Sequence, residues 1–195
     1  MRVLSAVRLG LAVGCLMAAT GCADKEAPAP VAAEPEVTLS CIAVMPVQAV
    51  IDSETVTSLA EEKGLMEGRQ VMNGLLRQQL TDKVRFVPED QAAAKGPQVA
   101  ARLKCNAVLE TSLSRYRERV GSQYGVQDSA AVTFAYKLTE TNSGRVLCHG
   151  RFDEKQQPVL DNLLKSRGLS WLTAEELLRD GLRERLGQCV YLDGK

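Results

Sequence analysis

The chain has 195 residues, with 24 basic and 24 acidic side chains and one histidine. A net charge of zero excludes the basic footprint of a nucleic-acid binder. The length admits one ordinary domain with a sizeable core.

The N-terminus reads "MRVLSAVRLGLAVGCLMAATGC". Arg2 and Arg8 make a basic start, and Leu9 to Ala18 is almost wholly apolar. That run is too short to span a membrane, which takes about 20 residues, and it fits the apolar region of a secretory signal. Its end, Ala19-Thr20-Gly21-Cys22, resembles the lipobox of bacterial lipoproteins, with Ala19 where that family prefers leucine. The resemblance implies that residues 1–21 are removed and that Cys22 carries diacylglycerol and an N-acyl chain such as palmitate. Each buried CH₂ contributes about 0.8 kcal/mol, so three chains anchor permanently where one does not. Without Cys22 lipidation, the same segment is a plain secretory signal. In the enterobacterial sorting rule, Asp after the cysteine retains a lipoprotein in the inner membrane. Ala23 stands there, so the outer membrane, facing the periplasm, is expected. Removing residues 1–21 takes away two arginines and no acid, which leaves two more acids than bases.

Residues 22–38, "CADKEAPAPVAAEPEVT", hold Pro28, Pro30 and Pro35 among small and charged residues and cannot build a core. They read as the lipidated end and an extended tether. Residues 39–195 are the expected single periplasmic domain. "LSCIAVMPV" is a short β-branched run that predicts a strand buried on both faces. A polar segment runs to Gly64, after which Met72, Leu75, Leu76 and Leu80 recur at helical spacing. Gly68 and Gly74 in this helix are candidates for close packing on a sheet. "VRFVPE" predicts an edge strand ended by Pro88. "EDQAAAKGPQVAARLK" predicts two helical pieces, with Asp90 as an N-cap and Pro97 starting the second.

"CNAVLETSLSRYRER" predicts a second buried strand that passes into alternation at Leu109, Thr111 and Leu113. "VGSQYGVQD" reads as a turn or loop. "SAAVTFAYKLTE" alternates Val132, Phe134, Tyr136 and Leu138, "TNSG" turns, and "RVLCHGRFDE" returns antiparallel. A short apolar segment to Leu164 follows. Thr173 and Glu176 form a capping box for a helix with Leu178, Leu182 and Leu186 on one face. The order β-α-β-α-β-β-β-α predicts an α/β fold: a mixed sheet of about five strands with helices packed on it. Residues 41–47 and 105–110 should be central parallel neighbours, with a C-terminal antiparallel meander beside them.

The runs "CIAVMPV", "CNAVLETSLSRY" and "KLTETNSGRVLCHGRF" resemble bacterial envelope lipoproteins with an anticodon-binding-like α/β domain. That group includes the curli secretion lipoprotein, the lipoprotein activator of penicillin-binding proteins and the N-terminal domain of the Tol-system propeller protein. "RYRERVGSQYGVQD", "FDEKQQPVLDNLL" and "WLTAEELLRDGL" are similar to uncharacterised lipoproteins of sulfate- and metal-reducing bacteria. The chain departs from the group at Glu140, often Asp, and at Cys148, often Trp. It also lacks the long amphipathic hairpins with which the curli channel lines its pore.

Cys41, Cys105, Cys148 and Cys189 remain for an oxidising compartment. Four cysteines allow three connectivities, and some, Cys105 among them, could instead be small buried hydrophobes. Cys41 and Cys105 each precede the apolar stretch of a central strand. Parallel neighbours lie about 4.8 Å apart, within disulfide range. Cys148 and Cys189 are the remaining pair. No CxxC occurs, so no metal site is expected, and no cofactor.

His149 follows Cys148, but neighbours on a strand point to opposite faces, so the two cannot form a catalytic pair. No G-x-S-x-G elbow or P-loop is present, and Glu61–Glu62 and Glu175–Glu176 read as solvated faces. The chain is therefore not expected to be an enzyme. "DEKQQP", carrying Asp153, Glu154, Gln156, Gln157 and Pro158, reads either as a strand exit capping neighbouring backbone or as a recognition surface. Trp171 reads as a core or staple residue ahead of the last helix, or else as an interface anchor. Together these features predict a lipid-anchored, non-catalytic adaptor that binds an envelope protein. The alternative is a homo-oligomeric structural component of a secretion or surface assembly.

Overall fold

A computed structural model describes residues 37–51, 58–122, 126–156 and 171–192. The expected signal, Cys22, most of the tether, Gln157, Pro158 and the apolar segment to Leu164 lie outside the described residues.

The chain forms β1 (Ile42–Val44), β2 (Gln48–Ala49), α1 (Leu59–Gln79), β3 (Val84–Phe86), α2 (Gly96–Arg102), β4 (Ala107–Arg117), β5 (Val120–Gly121), β6 (Val126–Asp128), β7 (Ala131–Glu140), β8 (Val146–Lys155) and α3 (Ala174–Leu186). The main sheet runs β3-β1-β4-β7-β8, with β2 also paired to β4. β3, β1 and β4 are parallel neighbours, and β4, β7 and β8 form the antiparallel meander. This is the expected mixed α/β architecture, with β2 and a small β5–β6 ribbon added. The ribbon replaces part of what reads as a loop over 120–128.

Strand order dictates helix placement. The chain steps outward from β1 to β3 through α1, then back across β1 to β4 through α2. Right-handed crossovers in opposite directions put the two helices on opposite faces. One face carries the large core: Leu65, Met72, Leu75 and Leu76 of α1 and Leu177, Leu178 and Leu182 of α3, packed on Leu109, Val132, Phe134, Tyr136 and Leu138. The rings of Phe134 and Phe152 stack at 5.3 Å. The other face holds a smaller core of Val99 and Ala100 of α2 against Cys41, Ala43, Met45, Cys105 and Val108. It covers only the parallel half of the sheet.

Helix ends follow local chemistry. α1 begins at Leu59, ahead of the Gly64 boundary that apolar spacing predicts, because Ser58 caps it by accepting from the Glu61 amide at 3.2 Å. Asp90 does not act as an N-cap: it lies inside a single 3₁₀ turn, Glu89–Gln91. Pro97 does sit in the first turn of α2. The Thr173–Glu176 capping box is closed in both directions, Glu176 N to Thr173 Oγ1 at 3.2 Å and Thr173 N to Glu176 Oε2 at 2.8 Å. Thr173→Ala is expected to cost about 1 kcal/mol. Thr173→Ser should be near neutral, and the difference is readable as a shift of the urea midpoint. Equal midpoints for the two variants would show that the box contributes nothing.

Candidate functional site

Both candidate disulfide pairs are bonded. Cys41–Cys105 joins β1 to the start of β4 with Cα atoms 4.4 Å apart. Cys148–Cys189 ties β8 to the segment after α3 at 6.0 Å. Cys148 therefore has no free thiol to offer, and His149 is exposed on the opposite side of β8, beside Lys137 in register.

The described part of the DEKQQP stretch, residues 153–156, divides between two roles. Gln156 is only 2% exposed; its amide donates to Ala130 O at 2.9 Å, and its side-chain oxygen accepts from Leu172 N at 2.9 Å. It clamps the exit of β8 to the approach of α3 and cannot lie on a recognition surface. Trp171 does not join the core. It is half-buried and, with Gln127, Asp128, Lys155 and Gln156, lines a hollow of about 350 Å³. Leu172 takes the core position instead, in the same apolar cluster as Leu177. These are the N′ and N4 positions of a hydrophobic staple. Glu154 is half-buried near the end of β8.

Asp153 faces away from the helices and is the hub of a polar network. Its carboxylate accepts from Thr133 Oγ1 at 3.0 Å and from Arg151 Nη2 at 3.1 Å, and it pairs with Arg115. Burial alone would raise its pKa. The hydrogen bonds from Arg151 and Thr133 and the charges of Arg115 and Arg151 outweigh burial and hold the carboxyl below its ordinary value.

Arg115 reaches this network because β4 bulges. Leu113 pairs with Phe134, but Arg115, not Ser114, pairs with Thr133. The extra residue turns Arg115 and Arg117 to the open face and Tyr116 inward. Tyr116 then packs against Gly68 of α1, where an added Cβ would lie 2.3 Å from the ring. Its hydroxyl is pushed up to about 12, chiefly by burial and then by Glu118, Glu175 and Glu67. Glu118 accepts from the Ala174 amide through both oxygens, at 3.1 and 3.2 Å. It thereby adds negative charge at the positive end of α3. Sequence reading missed Arg115, Glu118 and the bulge; only the broken alternation after Leu113 signals them.

α/β sheets commonly take ligands in the crevice at the carboxyl ends of strands where the order reverses. Here that place, beyond β1 and beside β4, is filled by the chain itself. Met45 N donates to Leu109 O at 2.9 Å, Val47 N to Asn73 Oδ1 at 3.0 Å, and β2 pairs with Ser112–Leu113. A hollow of about 440 Å³ lies at the opposite end, against Thr38, Ile42, Asp82, Lys83 and Tyr191. Among the described residues, no three His, Cys, Asp or Glu side chains are grouped to hold a metal ion. No described helix is long and apolar enough to cross a membrane.

No family model matches the chain, and no curated protein matches it. Solved structures with some likeness include the PelC dodecamer from Paraburkholderia phytofirmans, at 14% identity over 75% of this chain and 84% of that one, with a TM-score of 0.48. The lipoprotein GNA1162 from Neisseria meningitidis is 18% identical over 66% of this chain and 94% of its own, with a TM-score of 0.33. The LpoB C-terminal domain from Escherichia coli is 18% identical over 63% and 87%, with a TM-score of 0.38. At such identities and scores, function has to be argued from this chain's own residues.

Proposed function

We propose that the protein is a lipid-anchored lipoprotein of the bacterial envelope whose folded domain binds an envelope protein and catalyses nothing. Cysteine usage carries the reading. The two disulfides consume Cys41, Cys105, Cys148 and Cys189, and such bonds persist in oxidising compartments. Of the six cysteines, this leaves Cys15 and Cys22, both in the N-terminal segment. Cys15 lies inside the apolar run, whereas Cys22 stands just beyond its end behind Ala19-Thr20-Gly21 and is followed by the Pro-rich tether. Ala23 supports the outer membrane, facing the periplasm. The filled crevice at β1 and the locked Cys148 support a binding module over an enzyme.

Two measurements test the reading. Wild-type protein should partition into the detergent phase of an envelope extract, with an N-terminal peptide starting at Cys22 and carrying fatty-acid mass. Cys22→Ser should lose that mass, leave the signal uncut and keep the far-UV spectrum of the domain. A freely soluble wild-type protein with an unmodified N-terminus would overturn the lipoprotein assignment. Crosslinking in intact envelopes should then recover a protein partner with the full chain. A ring-sized homo-oligomer as the sole product would instead favour a structural part of a secretion or surface assembly.

A further inference from the structure

The face of β4, β7 and β8 opposite α1 and α3 carries Arg115, Arg117, Lys137, Arg151 and Lys155 with Glu110 and Asp153, and Asp128 at the end of β6 pairs with two of these cations. Lys137 and Glu110 form a one-to-one pair at 3.2 Å. The next two sites are unbalanced. Arg115 and Arg151 share the single carboxylate of Asp153, while Arg117 and Lys155 share Asp128 at 3.4 and 3.8 Å. These two sites sit over Thr133 and Ala131, successive same-face positions of β7. Their spacing along the strand is therefore about 7 Å. Arg151 and Lys155 expose 66% and 55% of their side chains, so the surplus cations are reachable. Next to the first site, Ser112 and Ala135 leave a hollow of about 230 Å³, rimmed by Val50, Arg115, Arg151 and Asp153.

We propose that this face docks an extended segment of the envelope partner with acidic residues at alternate positions. An extended chain points side chains i and i+2 the same way at the same spacing of about 7 Å. Two successive carboxylates would bring each site from two cations and one anion to balance, with one of them entering the hollow between Arg115 and Arg151. The inference rests on the adaptor reading and names its surface.

The test uses the full chain in detergent micelles and two fluorescein-labelled decapeptides of equal composition. One alternates Glu and Ser; the other groups its glutamates in blocks. The alternating peptide should bind more tightly, and Arg151→Glu or Lys155→Glu should each weaken it about tenfold. Lys95→Glu, ahead of α2, should leave it unchanged. Binding should vanish near 1 M salt, where the Debye length is about 3 Å. Equal affinity for the two peptides, indifference to Arg151→Glu with an unchanged far-UV spectrum, or binding of dextran sulfate but of neither peptide would each overturn the proposal. Photo-crosslinkers at Lys137 and at Glu62 of α1 separate the two readings in cells. A partner captured only from Glu62 sinks this surface and keeps the adaptor. Capture from neither position also sinks this surface, and if general crosslinking of the envelope recovers no partner either, the adaptor falls with it.

Discussion

Replacing Cys41 and Cys105 together by alanine is expected to lower the unfolding free energy by about 4 kcal/mol. The bond closes a loop between residues 64 apart in sequence, and the chain-entropy account gives that figure for such a loop. Domains of this size are stable by about 5–15 kcal/mol, so the loss is a large share of the total. The native structure should change little, because other contacts already hold the bridged strands in place. Asn106 and Ala107 amides donate to Cys41 O at 3.2 and 3.3 Å. The Asn106 side chain accepts from Ser40 N at 2.9 Å and donates to Thr38 O at 2.9 Å. The bond therefore acts mainly on the unfolded chain. Urea unfolding of the double variant should show a lower midpoint with the native far-UV spectrum retained. A loss under about 1 kcal/mol would mean that the unfolded chain is compact enough to keep those strands together without the bond.

Where the sequence was legible, one local rule decided the outcome. Val132, Phe134, Tyr136 and Leu138 alternate because β7 lies mid-sheet with one face on the core, and all four are buried. Thr173 and Glu176 are three residues apart, so the cap needs nothing beyond that turn. Cys41 and Cys105 were placed by the neighbouring apolar strands. Legibility fails where the deciding contact is remote or breaks the rule. α1 extends back to Leu59 through "LAEEKG", which has no apolar stripe; the signal was Ser58 with Glu61, hidden in a polar run. Trp171 reads as a core or staple residue ahead of the last helix, yet Leu172 is the residue that the staple geometry turns inward. Gln156 is polar by composition, but two distant backbone groups bury it. The cationic face is hardest of all. Arg115 and Asp153 are 38 residues apart, and strict alternation from Leu113 would send Arg115 into the core. One bulge residue, Ser114, moves it to the other face.

That same bulge fixes the sign of the second large effect. Gly68 and Gly74 both lie in α1, and by helix propensity alone each change to alanine should gain about 1 kcal/mol. At Gly74 nothing stands within 4 Å of an added Cβ, so Gly74→Ala is expected to stabilise by up to that amount. It has no close-packing role, contrary to what its place in the helix predicted. At Gly68 the added Cβ would lie 2.3 Å from Tyr116 Cγ and 2.6 Å from Tyr116 Cβ. These are the root of the side chain, not its flexible end. Relief therefore requires α1 or β4 to shift, in a region where Leu65 and Met72 are buried against the sheet. Overpacking of this kind costs about 1–3 kcal/mol, which outweighs the propensity gain. Gly68→Ala should thus destabilise by about 2 kcal/mol. Combined with Tyr116→Gly, which removes the obstructing Cβ as well as the ring, the same change should turn stabilising by up to about 1 kcal/mol. Urea midpoints of the four proteins in this cycle measure the coupling directly. If Gly68→Ala has the same sign with and without the Tyr116 side chain, the helix is not held to the sheet through this contact, and the bulge at Ser114 does not set the helix position.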